Sequence, residues 1–342
     1  MRYKLLGKSG LRVSELALGT MTFGEDWGWG ASKEESRKTF EAFVEAGGNF
    51  IDTANKYTDG TSEKLVGECI AGDRERLVVA TKYSLSMKAG DPNSSGNHRK
   101  NMVQSLEASL KRLNTAYIDL FWLHAWDFTT PLDEVMRALD DLVRAGKVLY
   151  VGISDTPAWV ISQANILAEL RGWTPFVAIQ IPYNLLERDI EREFLPMARA
   201  LDLGVTVWRP LAGGLLSGKY TGGQTSNEPV REKIPQLNAK QIAIALEVQH
   251  IAAELERKPS HIALNWLRQQ NSRIIPIIGA RRAEQFVDNM QCLEFELSTE
   301  QLARLDEVSR IELGFPHDFL IEDSNRDLAF GGLFDQIDNH HR

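Results

Sequence analysis

Cysteine is scarce in this sequence, with only Cys69 and Cys292 in 342 residues. Two thiols can build neither a disulfide framework nor a four-thiolate zinc site. Long hydrophobic runs are missing too, none approaching the ~20 apolar residues that span a bilayer. The opening stretch MRYKLLGKSGLRVSELALG has no apolar h-region and no small-residue cleavage site, which argues against secretion. Positive charge is in deficit, with 39 Lys and Arg against 47 Asp and Glu and a net charge of -8. Sequence-independent nucleic-acid binding relies on cations neutralising phosphates, so this balance argues against it. Repeats, low-complexity tracts and a clear inter-domain linker are also lacking. What is present is ordinary for a globular protein: 43% hydrophobic and 25% charged residues. A disordered chain, a membrane-inserted protein, a secreted miniprotein and a nucleic-acid binder are thus excluded. A cytoplasmic globular protein is expected.

Short apolar runs alternate with longer amphipathic stretches, which is the pattern of parallel strands joined by crossover helices. Strands are predicted near 15–19, 49–53, 77–81, 118–123, 148–152, 177–181, 204–208 and 274–278. Their nearly continuous apolar character suits strands buried on both faces. Helices are predicted at about 33–46, 62–71, 98–113, 132–145, 157–170, 188–202, 239–257 and 282–289, with another near 299–309 and an irregular tail over 311–342. Ser32 with Glu35 reads as a reciprocal capping box, and Ser298 with Gln301 opens the ninth helix. Thr130 before Pro131 and Thr156 before Pro157 read as N-caps followed by proline at the first helical position. Gly47 and Gly146 stand where helices stop.

Eight strand–helix units predict an α/β fold, a (β/α)₈ TIM barrel. It is read as a single domain over 1–342, with a core at about 15–290 and a C-terminal helix and tail at 298–342 lying over the barrel mouth. An open doubly wound sheet would carry a glycine fingerprint after its first strand, and Gly19-Thr20-Met21-Thr22-Phe23-Gly24 is not one. The segment Gly213 to Tyr220 fits G-x-x-x-x-G-K but places Tyr220 where Ser or Thr must hold magnesium, so an NTPase loop is rejected. The polar loops 83–97 and 217–238 are long enough to serve as lids.

Barrel active sites lie at the C-terminal strand ends. There the sequence places Asp52, Lys82 and His124 on three consecutive strands, with Tyr57 a short loop after the first. Each has a plain reading alone: Asp52 a cap or structural partner, Tyr57 a half-buried aromatic, Lys82 a charge reaching solvent, His124 a bonded core residue. Their combination is the signal, because a lysine beside an aspartate can tune the ionisation of a neighbour.

The segments FIDTANKYTDGTSEKLVGE, VVATK and DLFWLHAWDFTTPLDE closely resemble those that hold the catalytic tetrad of the aldo-keto reductase superfamily. The resemblance continues through VGISD, VAIQIPYNLLER, VWRPLAGGLLSGKY and IIGARRAEQFVDN, and so spans nearly the whole chain. It implies that Asp52, Tyr57, Lys82 and His124 form the tetrad and that the cofactor is a nicotinamide dinucleotide. It further implies cofactor contacts at Gly19, Thr20, Met21 and Asp52. Ser154, Asp155 and Gln180 match the residues that hold the carboxamide, and Trp208 the aromatic that stacks on the nicotinamide. The chain departs from the family at Asp155, where Asn is usual; an ionised carboxylate accepts hydrogen bonds but cannot donate one. Arg209, Pro210, Leu211, Gly213, Leu215 and Lys219 match the segment over the pyrophosphate. Gly279, Ala280, Arg281, Gln285, Asp288 and Asn289 match the turn and helix that grip the adenosine end. Arg281, followed by Arg282, is suited to hold an adenosine ribose phosphate, so NADP(H) is expected in preference to NAD(H). The plain alternative makes both arginines solvated charges at a helix start.

Trp27, Trp29 and Trp126, with Tyr57 and His124, are candidates for the substrate wall, able to take an aromatic aldehyde or a sugar face; the first two could equally cover the rim. The leading expectation is an NADP(H)-dependent reductase of aldehydes or ketones that uses Tyr57 as proton donor. A nicotinamide-binding regulatory subunit of low turnover, as in the channel β-subunits of that superfamily, is the alternative. A Schiff-base aldolase using Lys82 is a third reading. Expected partners are a small carbonyl substrate and the cofactor, with no metal; the oligomeric partner is not readable.

Overall fold

The computed structural model describes residues 1–218, 237–271 and 273–338. Eight strands form a closed parallel barrel: β3 (Ala17–Gly19), β4 (Phe50–Asp52), β5 (Val78–Tyr83), β6 (Ile118–Leu123), β7 (Val148–Ser154), β8 (Phe176–Pro182), β9 (Gly204–Trp208) and β10 (Ile274–Ile278). The ring closes where β10 pairs with β3, Ile277 opposite Ala17 and Ile278 opposite Leu18. The eight expected strands and the TIM barrel are therefore observed. Strand residues alternate between the lumen and the helical shell. Trp122 fills the lumen against Gly152, where an added Cβ would come within 2.4 Å of the indole; only glycine lets the two strands and that ring coexist.

The outer shell comprises α1 (Lys33–Glu45), α2 (Thr61–Ile70), α3 (Arg99–Leu113), α4 (Leu132–Arg144), α5 (Ala158–Arg171), α6 (Phe194–Ala200), α7 (Ala239–Glu254), α8 (Pro259–Gln270) and α9 (Ala283–Met290). On α4, Val135, Met136, Leu139 and Leu142 are buried at three- and four-residue spacing, the stripe that packs a helix onto a sheet. After α9 come α10 (Thr299–Ser309) and two short helices, α11 (His317–Ile321) and α12 (Asp323–Phe330).

Several local expectations are corrected. A hairpin of β1 (Tyr3–Leu5) and β2 (Arg12–Ser14) precedes the barrel and plugs its N-terminal end, with Leu6 and Val13 fully buried among lumen residues. The helix expected at 188–202 is a 3₁₀ turn, Asp189–Glu191, followed by the shorter α6. The helix expected to reach 257 ends at Glu254, and α8 follows it. The tail is partly helical rather than irregular. It is held on the loop after β8, where Arg192 donates to the Glu312 carbonyl and His317 pairs with Glu193. Pro131 and Pro157 themselves occupy the N-cap positions; the Thr130 hydroxyl donates to Asp127 and that of Thr156 to the Ser154 carbonyl. Ser298 and Gln301 form the full box. Ser32 and Glu35 form half of one, since the Ser32 hydroxyl accepts from Glu35 N while the Glu35 carboxylate turns to the start of α9.

Candidate active site

The register of three adjacent strands brings the central groups together. Asp52 ends β4, and Lys82 lies on β5 with its side chain in the lumen and no solvent exposure. The Lys82 ammonium donates to the Asp52 carboxylate, to the Thr53 carbonyl at 3.0 Å and to the Tyr57 hydroxyl at 2.9 Å. Three acceptors use all three N–H bonds. Burial opposes the charge on Lys82, but Asp52 and Tyr57 outweigh it and leave the pKa raised, so the lysine stays cationic. Asp52 in turn accepts from Gln180 Nε2 at 2.9 Å.

Tyr57 is delivered by a strained turn. Thr58 and Asp59 both have left-handed φ, 44° and 50°. The turn is held because the Thr58 hydroxyl donates to the Phe23 carbonyl at 2.7 Å and accepts from Ser62 N at 2.9 Å. Trp27 is tied to this turn, its indole N–H donating to Asp59 at 3.0 Å, and Trp29 lies 5.6 Å from it ring to ring. Both tryptophans are partly buried at the rim.

His124 follows β6 and sets its ring edge-on to Tyr57, centroids 6.0 Å apart. Burial, helped by the Lys82 charge, pushes its pKa down to about 3, so the imidazole is neutral at physiological pH. Its Nδ1 is buried with no hydrogen-bond partner among the described residues. Trp126 stands two residues on, its N–H donating to the Asp155 carbonyl at 3.3 Å. Asp52, Tyr57, Lys82, His124 and the three tryptophans thus gather at one mouth. The arrangement supplies a phenol beside a fixed cation, next to a neutral imidazole.

The segments expected to hold a cofactor line the same end. Thr20 is buried and donates through both N–H and hydroxyl to the Asp52 carbonyl, between Gly19 and the partly buried Met21. The Ser154 hydroxyl donates to the Gln180 carbonyl at 2.7 Å. Asp155 has left-handed φ, 33°, and loss of solvent raises its pKa against the opposing Trp208 and Ser154 side chains. Trp208 ends β9, and left-handed φ recurs at Arg209, Ala212, Gly213 and Gly214. That run, past the buried Pro210 and partly buried Leu211 and Leu215, doubles back and leaves two side-chain-free residues at the surface side. A Cβ on Gly213 would sit 3.4 Å from the Arg209 guanidinium, so a cation borders the bare turn. A glycine cradle with an adjacent arginine suits a pyrophosphate, and these residues fit a dinucleotide. Lys219, with most of the 217–238 loop, lies outside the described residues.

Beyond β10, Gly279 abuts Gly19, since a Cβ there would come within 2.8 Å of the Gly19 carbonyl. The Ala280 carbonyl accepts from the Thr22 hydroxyl at 2.8 Å. Arg281, Gln285 and Asn289 are partly buried at the start of α9 and along it. The Asp288 carboxylate is engaged within the protein, 2.6 Å from Lys258 and 3.5 Å from His261.

Three residues outside the expected set support the site. Asn184, 1% exposed, donates to the Arg209 carbonyl at 3.1 Å and so fixes the start of the glycine turn. Asn97 and Asp127 bond reciprocally, Asn97 N to the carboxylate at 2.6 Å and Asp127 N to the amide oxygen at 2.8 Å. This clamp joins the 83–97 loop to the segment after His124. Asn184 belongs to VAIQIPYNLLER, one of the segments that carry the family resemblance, whereas the clamp has no local sequence pattern.

The chain thus forms a closed α/β barrel with a buried lysine–carboxylate pair beside a phenol at one mouth. The chain belongs to the aldo/keto reductase family, whose model matches residues 15–310. It is 37% identical to a norsolorinic acid reductase of Aspergillus flavus over 93% of this chain and 83% of that protein. It is 38% identical to an aryl-alcohol dehydrogenase [NADP(+)] of Phanerodontia chrysosporium, over 90% and 86% respectively. A putative aryl-alcohol dehydrogenase of Saccharomyces cerevisiae is 35% identical over 94% and 90%. The protein is therefore an oxidoreductase of a family that reduces carbonyls and generally uses nicotinamide cofactors. Among the described residues no helix is long and apolar enough to cross a membrane.

Proposed function

We propose that this protein is a cytoplasmic NADP(H)-dependent reductase that converts aryl aldehydes or ketones to alcohols, with Tyr57 as the proton donor. The observation that carries the reading is the position of the Lys82 ammonium, 2.9 Å from the Tyr57 hydroxyl and held by Asp52. Lys82 donates to that oxygen, so the phenol meets the ammonium as an acceptor. An adjacent ammonium favours phenolate over phenol, which eases release of the proton. Neutral His124 can donate one N–H to the carbonyl oxygen and orient it, which stabilises charge as it builds there. The bound dinucleotide supplies the hydride. Gln180 and Ser154 at the strand ends would orient its carboxamide, Trp208 would lie against its ring, and the glycine turn with Arg209 would hold its pyrophosphate. Asp155 would accept from the carboxamide amine.

The NADP(H) preference is supported by Arg281 and Arg282 at the start of α9 and by the cofactor named for the Phanerodontia relative. The aryl preference is supported by Trp27, Trp29 and Trp126 around the mouth and by the names of two relatives. The test is oxidation of NADPH and NADH in the presence of matched aromatic, aliphatic and sugar aldehydes. Turnover with NADPH and aromatic aldehydes is expected. Tight cofactor binding with no turnover on any of them would instead support a regulatory subunit.

A further inference from the structure

Helices α1 and α9 meet through one carboxylate. Glu35 Oε2 accepts from the backbone N–H of Ala283 at 2.9 Å, and Oε1 lies 3.4 Å from Lys38. Ala283 is the first residue of α9, directly after Arg281 and Arg282. Lys38 also pairs with Glu34, at 2.8 Å, so its charge is shared between two carboxylates. The Ala283 N–H holds the Glu35 pKa below its ordinary value, with Lys38 and Arg282 acting in the same direction. Glu35 is therefore an anion at the spot where the Arg281 turn enters α9.

We propose that Glu35 is a cofactor-specificity residue: its carboxylate, held at the first turn of α9, weakens the protein's grip on the additional ribose phosphate of a phosphorylated dinucleotide. The inference rests on the reading that the Arg281 turn receives the adenosine end. Two anions brought to the same helix start compete for the same N–H dipoles and the same arginine charge, and they repel one another. An unphosphorylated ribose carries no charge and escapes the repulsion. Arg281 and Glu35 thus act in opposition, and the preference for the phosphorylated cofactor is smaller than the arginines alone would set.

Glu35→Gln separates charge from structure, because the amide oxygen can still accept from Ala283 N. The readout is cofactor affinity of the protein without substrate, from quenching of tryptophan fluorescence by NADPH and by NADH. Removal of one charge at the helix start that would receive the phosphate is expected to tighten NADPH binding by about three- to tenfold. NADH affinity should stay within about twofold, and the gap should narrow near 1 M salt, where the Debye length is ~3 Å. An unchanged ratio of the two affinities, or an equal shift in both, would overturn the proposal. Glu35→Ala should shift the ratio in the same direction, so the conclusion stands on a second variant should the first fold poorly. A wild-type protein that prefers NADH would refute the cofactor reading. The Glu35 proposal is judged separately, by whether the affinity ratio moves in the variants.

Discussion

Gln180 reaches across the barrel to Asp52, its Nε2 donating to Oδ1 at 2.9 Å from the wall opposite β4. Asp52 therefore receives a neutral donor on one oxygen and the Lys82 ammonium on the other. Burying a carboxylate costs free energy that hydrogen-bond donors on its oxygens offset. Gln180→Leu leaves one oxygen without that donor, at an expected cost of ~1–3 kcal/mol in urea unfolding of the protein without cofactor. A change below about 0.5 kcal/mol, the range of an ordinary surface substitution, would show that Oδ1 does not depend on the amide.

Tyr57→Phe keeps the ring beside Lys82 and removes only the hydroxyl. Carbonyl reduction should fall by at least ~10²-fold, the scale of general acid catalysis, with cofactor affinity nearly unchanged. Single-turnover measurements check this. A variant that keeps more than about a tenth of the wild-type chemical rate would remove Tyr57 from the role of proton donor.

His124 gives the protein a sensitivity to acid. Its imidazole titrates at about 3 in the folded chain, against ~6.5 when unfolded. Between those values the unfolded state binds the proton more readily, so this contribution is present above about pH 6.5 and is lost as pH falls toward 3. His124→Gln should therefore lose less stability than wild type between neutral pH and about pH 4.5, followed by urea midpoints. A parallel fall in both proteins would mean that the imidazole is not buried in its neutral form.

Arg281→Ala should weaken NADPH binding by about tenfold or more, the value of a charge-assisted hydrogen bond, and leave NADH nearly untouched. Fluorescence titration of both cofactors measures it. Equal losses would show that Arg281 does not discriminate between them.

The barrel strands were legible because burial on both faces leaves almost no polar residue in runs such as IIPII and IDLFWL. The gathering of Asp52, Tyr57, Lys82 and His124 was legible because a parallel barrel puts every strand end at one mouth. Helix α8 was not, for Ser260 to Leu267 is buried all round and shows no amphipathic stripe. Pro259 at its first position was the available signal. The hairpin strands have three residues each, too few for alternation to register. The Gln180–Asp52 contact spans 128 positions and the Glu35–Ala283 contact 248. Spacing within a helix suggested a local partner for Glu35, and only the fold supplies the distant one.

The plug at the foot of the barrel imposes an order on biosynthesis. Lys4 donates to the Ile274 carbonyl at 2.7 Å, Gly7 is wedged against residues 177, 202 and 204, and Leu6 and Val13 pack in the lumen cluster with Ile275 and Ile277. At ~5–20 residues per second, a ribosome needs more than ~10 s after making the hairpin to deliver β10. Throughout that interval Leu6 and Val13 lack a complete lumen to enter, and β3 has no closing neighbour. The nascent chain thus carries an open sheet edge and an unseated apolar hairpin, the surfaces a chaperone binds. The hairpin, made before every barrel strand, is fully enclosed only when the last of them arrives.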